Sequence, residues 1–346
     1  MRRGLWIGGA AAMLAALAAV SLAVRGLWLP AGAGRAPQLF QVREGDTLAT
    51  VAQRLAEQGL LPRSAFFGPN VLVVYGRLAG LERGIKSGEY DVDPGETPVA
   101  ILRKLVRGSV KTHAVTLPEG LRTDEVAHRL ESAGIVEAQR FLELSRDPEL
   151  TRSLGIEASS LEGYLYPETY RFRRNTPARD VLRQMVEEFR SRWTPADRAI
   201  LARSGLSLHE AVTLASIVEK ESAVDEERRL IAAVFRNRLA RRMRLQSDPT
   251  VIYGLLLTRG TFDGNLRRRD LRTDTPYNTY TRSGLPPGPI ANPTMESIRA
   301  VLEPEDVPYL YFVSRNDGTH EFSRTLREHN RAVERYQKRP RSEAPS

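Results

Sequence analysis

The fold turns on LHEAVTLASIVEKES, residues 208–222. Ser207 and Glu210, three apart at its start, form the capping-box pattern that opens a helix. At about 3.6 residues per turn, Leu208, Val212, Ala215 and Glu219 share one face. His209, Thr213, Ser216 and Lys220 make a narrow polar stripe, and Leu214, Ile217 and Val218 a second apolar region. A helix apolar on most sides is a buried helix, and Glu219 projects from its end on a small, apolar stripe. Burial penalises the charged carboxylate, so the pattern predicts a raised pKa and a group able to donate a proton near neutral pH. The bland reading is a carboxylate paired with a nearby base, Lys220 or Arg228, which is how buried glutamates are usually found. Glu221 lies about 160° around the helix from Glu219. The two are therefore not the opposed pair of an ordinary glycoside hydrolase. This helix predicts one-acid chemistry, or a second carboxylate supplied from elsewhere.

Outward from it, Thr194-Pro195 reads as a cap followed by proline at the first helical position, opening a helix that Gly205 stops. Asp225 is expected to cap the next helix, running to about Met243. Residues 309–314 and 320–323 read as short strands about an Asn316-Asp317-Gly318 turn, and residues 324–338 as a charged terminal helix. Residues 116–340 are expected to form a larger, mainly helical domain with short strands, and 341–346 a frayed tail. Residues 38–115 read as a small α+β module. It has a strand at 39–43, a turn at Glu44-Gly45-Asp46, and a helix capped by Thr47 and stopped by Gly59. The pattern of turn, helix and glycine recurs from Pro94 to Gly108 and from Pro118 to Gly134, too irregularly for a solenoid. Its first instance, VREGDTLATVAQRLAEQ, resembles LysM, a small peptidoglycan-binding module. A generic strand-turn-helix unit fits the same residues. The fold class expected for the chain is α+β.

Arg2 and Arg3 precede an apolar run at 4–24 that Arg25 closes. About 20 apolar residues cross a bilayer core of roughly 30 Å. The run is longer than the apolar core of a signal peptide and lacks a clear cleavage motif. It predicts an uncleaved transmembrane helix, with a cleaved signal peptide as the alternative. The flanking arginines and the amino terminus place a tip at 1–3 in the cytoplasm. The rest, after a linker at 25–37, is then expected in the periplasm, tethered to the inner membrane. The formal net charge is +9, with the basic residues scattered and no aromatic stacking motif among them, so nucleic acid is not an expected partner. The absence of cysteine excludes disulfides and thiolate chemistry, and the five histidines show no metal-ligand spacing. No metal or other cofactor is expected.

Four blocks carry a more specific signal: LEGYLYPETYRF (161–172), ASIVEKES (215–222), NRLARRMRLQSDPTVIYGL (237–255) and YNTYTRSGLPPGPIANP (277–293). In that order they resemble the MltG (YceG-like) endolytic murein transglycosylase family, from about Val42 to near the C-terminus. Tyr166 and Glu168 stand where Phe and Asp are also common. The resemblance implies an enzyme that breaks the bond between N-acetylmuramic acid (MurNAc) and N-acetylglucosamine (GlcNAc) inside nascent glycan strands without water. The muramic C6 hydroxyl attacks its own anomeric carbon, leaving a 1,6-anhydro end. The resemblance also implies that Glu219, opening the EKE motif, is the catalytic acid, and that peptidoglycan synthases are partners.

Around that acid the residues suited to contact sugar are Glu162, Gln246, Ser247, Tyr277, Asn278 and Tyr280. Each has a plainer reading as a loop pin or a structural pair. Asp248 before Pro249 reads as a helix cap, and Arg267 to Arg269 as a solvated face. The rival functions are a hydrolytic glycosidase using Glu219 with a second carboxylate, and a non-catalytic cell-wall scaffold.

Overall fold

The computed structural model describes residues 2–32 and 34–338, with side chains in α1 (Arg2–Gly26) from residue 11 onward. The tail expected at 341–346 and the first residue of the expected tip lie outside the described residues. The fold is mixed α and β, mostly helical, with short strands. Among the described residues the strands pair two by two, β1 with β2, β3 with β4 and β5 with β6. The chain divides into two compact units. One runs to His113 and takes in Arg171–Arg174; the other holds Ala114–Tyr170 and the chain from Asn175 on.

The first unit contains α1, β1 (Gln38–Val42), α2 (Leu48–Glu57), α3 (Pro69–Leu78), β2 (Gly88–Val92) and α4 (Pro98–Arg107). β1 and β2 are antiparallel, with Phe40 opposite Tyr90. Thr47 caps α2 by accepting the Thr50 N–H, and Thr97 does the same for α4 from Ala100. Gly108 ends α4 in the left-handed conformation, φ 74°. The inward faces of these elements bring Phe40, Leu48, Val51, Leu55, Leu72, Tyr90, Ile101 and Leu105 into one core. Each such side chain contributes roughly 1.5–3 kcal/mol on burial. α3 approaches α2 so closely that a Cβ at Gly76 would collide with Leu48. Among the described residues no helix is long and apolar enough to cross a membrane. The side chains of residues 4–10, the first part of the expected 4–24 anchor, lie outside the described ones.

Next come β3 (His113–Thr116), α5 (Thr123–Ser132), α6 (Ala138–Ser145), α7 (Pro148–Ser153), β4 (Thr169–Phe172), α8 (Ala178–Ser191) and α9 (Pro195–Arg203). The chain continues through α10 (Leu208–Glu221), α11 (Arg228–Ala240), α12 (Asp248–Arg259), α13 (Met295–Leu302), β5 (Tyr311–Ser314), β6 (His320–Ser323) and α14 (Leu326–Val333). α10 is the core helix of the second unit. Its capping box joins Ser207 to Glu210, residues 211–219 are buried, and α11, α12 and α13 pack around it. Two expected boundaries move. The helix expected from Asp225 begins as a 3-10 turn, Asp225–Glu227, where the Glu227 carboxylate accepts the His320 N–H at 2.9 Å. β5 starts at Tyr311 rather than Tyr309, since the Tyr309 carbonyl accepts from Asn237 on α11 instead of from a strand.

Candidate active site

α10 ends at Glu221, and the two glutamates of its last turn face different elements. The Glu219 side chain is only 3 % exposed. Thr294, the N-cap of α13, donates both its N–H and its hydroxyl to Glu219 Oε2, each at 2.8 Å. Oε1 stands 3.9 Å from the Arg228 guanidinium, which also pairs with Asp225 at 2.8 Å. These are the surroundings of the paired reading, with Arg228 as the base. Lys220 turns away and donates to the Gly120 carbonyl at 3.1 Å.

Glu221 is half-buried. The Ser247 hydroxyl donates to its Oε1 at 2.6 Å, and its Oε2 takes no hydrogen bond from any described residue. Loss of hydration pushes the Glu221 pKa up; the Ser247 hydrogen bond opposes this, and the charge of Asp248 adds to it.

Ser247 is fixed by a zipper between two loops. Its N–H donates to Thr279 Oγ1 at 3.0 Å, and the Gln246 N–H donates to the Thr279 carbonyl at 3.2 Å. Gln246 takes a left-handed backbone, φ 53°, and its side chain is exposed beside this zipper. Ser247, not Asp248, is the N-cap of α12. Asp248 lies inside the first turn, where its Oδ1 accepts the Tyr280 hydroxyl at 2.6 Å. Asn278 is fully buried. Its amide donates to the Leu271 and Thr273 carbonyls, and its Oδ1 accepts the Tyr280 N–H. It shapes the loop from within, its side chain engaged by backbone and fully buried.

Glu162 and Tyr277 belong to another place. Both line a cavity of about 440 Å³ together with Arg122, Arg146 and Tyr253. Glu162 is buried, accepting the Thr123 N–H at 3.0 Å and the Tyr253 hydroxyl at 3.1 Å. Desolvation outweighs those hydrogen bonds and pushes its pKa up to about 7. The Tyr253 and Tyr277 rings stand 4.8 Å apart. Tyr253 is five residues after Asp248 on α12 and Gly260 closes that helix. At about 1.5 Å per residue the cavity therefore lies roughly 8–18 Å along α12 from Asp248.

Asn292 was not singled out in the sequence, although it lies in the fourth block. Its Oδ1 accepts the Gly163 and Leu165 N–H groups at 3.0 and 2.9 Å, and its own N–H and side-chain amide donate to the Leu121 carbonyl, both at 2.8 Å. Gly163 has φ 87°, and a Cβ there would meet Pro289 at 2.5 Å, so only glycine fits. The six expected sugar contacts thus separate. Ser247, Gln246 and Tyr280 gather at Glu221, Glu162 and Tyr277 line the cavity, and Asn278 holds the loop. Glu221 is the group the sequence reading set aside because of its angle to Glu219. Its position as the last residue of a buried helix, opening onto a loop, was the available signal.

The profile of the YceG-like family matches residues 40–335. The endolytic murein transglycosylase of Bacillus subtilis (strain 168) is 33% identical over 269 residues, 73% of each chain. That of Streptococcus pneumoniae serotype 2 is 28% identical over 324 residues, 84% of this chain and 57% of the relative, so the chain spans little over half of that protein. A solved structure of a YceG-like protein from Listeria monocytogenes is 31% identical, with a TM-score of 0.58 over 86% of this chain and 99% of the other.

Proposed function

The chain belongs to the YceG-like family, and on that premise we propose that it is an endolytic murein transglycosylase. It cuts the MurNAc–GlcNAc bond within nascent glycan strands, leaves 1,6-anhydro-MurNAc ends, and so limits strand length. The nucleophile is the substrate's own C6 hydroxyl. A single carboxyl suffices: it protonates the departing GlcNAc oxygen, then accepts the proton of the attacking hydroxyl. The C1–O4 bond breaks, the O6–C1 bond forms, and the carboxyl ends in the protonation state in which it began.

The observation that carries this reading on the chain is Glu221, with a raised pKa, one oxygen oriented by Ser247 and the other without a partner among the described residues. An acid must reach its substrate. Glu219, the residue the family resemblance nominates, has one oxygen taken by Thr294 and the other facing Arg228. Its surroundings favour a positioning role at the α10–α13 contact, and we assign the proton transfer to Glu221. Asp248, exposed and oriented by Tyr280, stands near enough to raise the Glu221 pKa. It is the negative group suited to an oxocarbenium-like transition state. Mass spectrometry of glycan strands digested by wild type, Glu221→Gln and Glu219→Gln tests the assignment. Anhydro ends should vanish with the first substitution and persist with the second. Reducing ends from the wild type would instead make the enzyme a hydrolase.

The anchor belongs to the same proposal. An apolar run at 4–24 between arginines, and the exposed Met13, Leu14, Leu17, Val20, Leu22 and Val24 on α1, support a single membrane-spanning helix. The N-terminus is then cytoplasmic and the catalytic unit periplasmic, near peptidoglycan synthases. The first unit, read as LysM-like, would hold glycan. Resistance of the full chain to alkaline carbonate extraction from membranes, lost on deletion of residues 4–24, checks the anchor.

A further inference from the structure

The cavity beside Glu162 has no task in proton transfer at Glu221, which lies near the far end of α12. We infer that it is a second binding site, one that grips a muramyl unit of the same strand through a carboxylate carried by that unit. This rests on the murein reading above. The argument begins with charge. Arg122 is already forked by Asp124, at 2.9 Å to both oxygens, and lies 3.1 Å from Glu125. Arg146 lines the same cavity and is exposed, and its guanidinium has no carboxylate or hydrogen-bond partner among the described residues. Its charge is felt by Tyr253 across the cavity. An unpaired guanidinium at a cavity mouth is a fork for a carboxylate.

The floor has the opposite character. Glu162 is a buried carboxyl whose known donors are the Thr123 N–H and the Tyr253 hydroxyl. Ionised, a carboxyl group has about four lone-pair sites, and protonated it keeps acceptor capacity beside its O–H, so room remains for N–H or O–H groups of a ligand. Tyr253 and the half-buried Tyr277, their rings 4.8 Å apart, line the same cavity, and an aromatic lining suits sugar C–H groups. A ligand matching this sequence of groups carries amide or hydroxyl donors at one end, a ring in the middle and a carboxylate at the other. N-acetylmuramic acid and its peptide have that order; N-acetylglucosamine lacks the acid. The volume lies within the roughly 300–1,000 Å³ of small-molecule sites. The separation of roughly 8–18 Å along α12 places the gripped unit further along the strand than the bond being cut.

The carboxylate has two sources, the lactyl group itself or the stem peptide. The test uses the full chain in detergent. Binding of strands is measured on the Glu221→Gln background, so that nothing is consumed, with and without Arg146→Ala, Arg146→Lys or Arg146→Glu. Three strand preparations serve: peptide-bearing, amidase-stripped with bare lactyl carboxylates, and peptide-bearing with carboxylates blocked as amides. Arg146→Ala should weaken binding roughly tenfold, Arg146→Glu more, and Arg146→Lys less. Blocking the carboxylates should weaken the Arg146-intact chain by a similar factor and leave Arg146→Ala unmoved. An Arg146 effect found on stripped strands alone assigns the lactyl group, whose carboxyl the stem peptide otherwise holds as an amide; an effect on peptide-bearing strands that is lost on stripped ones assigns the peptide. In an otherwise wild-type chain, Arg146→Ala should raise KM with kcat unchanged. Equal affinity of all Arg146 variants, or an equal loss on blocked strands, overturns the site. If strands are cut but binding ignores Arg146, the cavity fails and the transglycosylase reading stands. If binding follows Arg146 but no anhydro ends form, the cavity stands and that reading fails.

Discussion

Glu219 and Glu221 leave α10 two residues apart and meet different worlds. On one side the N-cap of α13 gives two hydrogen bonds to Glu219 and a guanidinium faces its other oxygen. On the other, one serine hydroxyl orients Glu221 and leaves an oxygen without a partner among the described residues. Both lie at the end of the same apolar helix, so apolar surroundings alone do not separate a structural carboxylate from a reactive one. What separates them is whether an oxygen remains for a ligand, and that is decided by residues 26 and 75 positions away in the chain.

The comparison breaks most sharply on rate. Glu221→Gln should lower kcat by about 10²–10⁴-fold, the range for loss of a general acid, with the fold intact by circular dichroism. Glu219→Gln keeps an acceptor for Thr294 and should stay within about tenfold of wild type. The reverse pattern in anhydro-end formation would exchange the two roles. On stability the order inverts. Glu219→Ala leaves two donors of half-buried Thr294 unmet and Arg228 with one acid fewer, and should cost about 2–3 kcal/mol in denaturant unfolding. Glu221→Ala leaves one buried donor, the Ser247 hydroxyl, unmet and should cost about 1 kcal/mol.

The helices were readable because their signals are local. The Ser207 and Glu210 capping box, the Thr47 cap and the Gly108 stop all stand where periodicity and cap chemistry put them. So was the burial of α10. The surroundings of its two acids were not readable, because Thr294 and Ser247 reach them through tertiary contacts that no spacing encodes. The turn at Asp225–Glu227 escaped too; its Glu227 carboxylate meets His320, 93 positions on. Asn278 and Asn292 show the limit from another direction. Both sit in one polar, loop-forming block, and sequence offers nothing to tell an amide that faces sugar from one that holds backbone. Here both hold backbone.

Glu162 supplies a third environment, a buried carboxyl that is hydrogen-bonded and still pushed up to about 7. The sign follows from proton binding. Between the unfolded value near 4.5 and the folded value the native state holds the extra proton, so stability falls as pH rises through that window. The size is on the order of 3 kcal/mol, present in full below the unfolded pKa and lost above the folded one. Glu162→Gln should flatten the stability profile between about pH 4.5 and 7. A profile as steep as that of wild type would mean the site is wetter than its burial suggests, and would bring Glu162 closer in kind to Glu221.

The finest test acts on Glu221 without touching it. Ser247 donates to the charged form of the carboxylate and so holds its pKa below where desolvation alone would set it. The protonated acid is the form that starts the reaction, so kcat/KM declines on the alkaline side as Glu221 loses its proton. Ser247→Ala removes the donation, and the alkaline limb should move to higher pH. The maximum rate should fall by less than about tenfold, because the hydroxyl orients the acid rather than supplying the proton. Glu219 has no contact with Ser247, so a catalytic Glu219 would give a limb that stays in place. The displacement of that limb, read from initial rates of anhydro-end formation across pH, therefore separates the two carboxyls even where both single substitutions have reduced the rate.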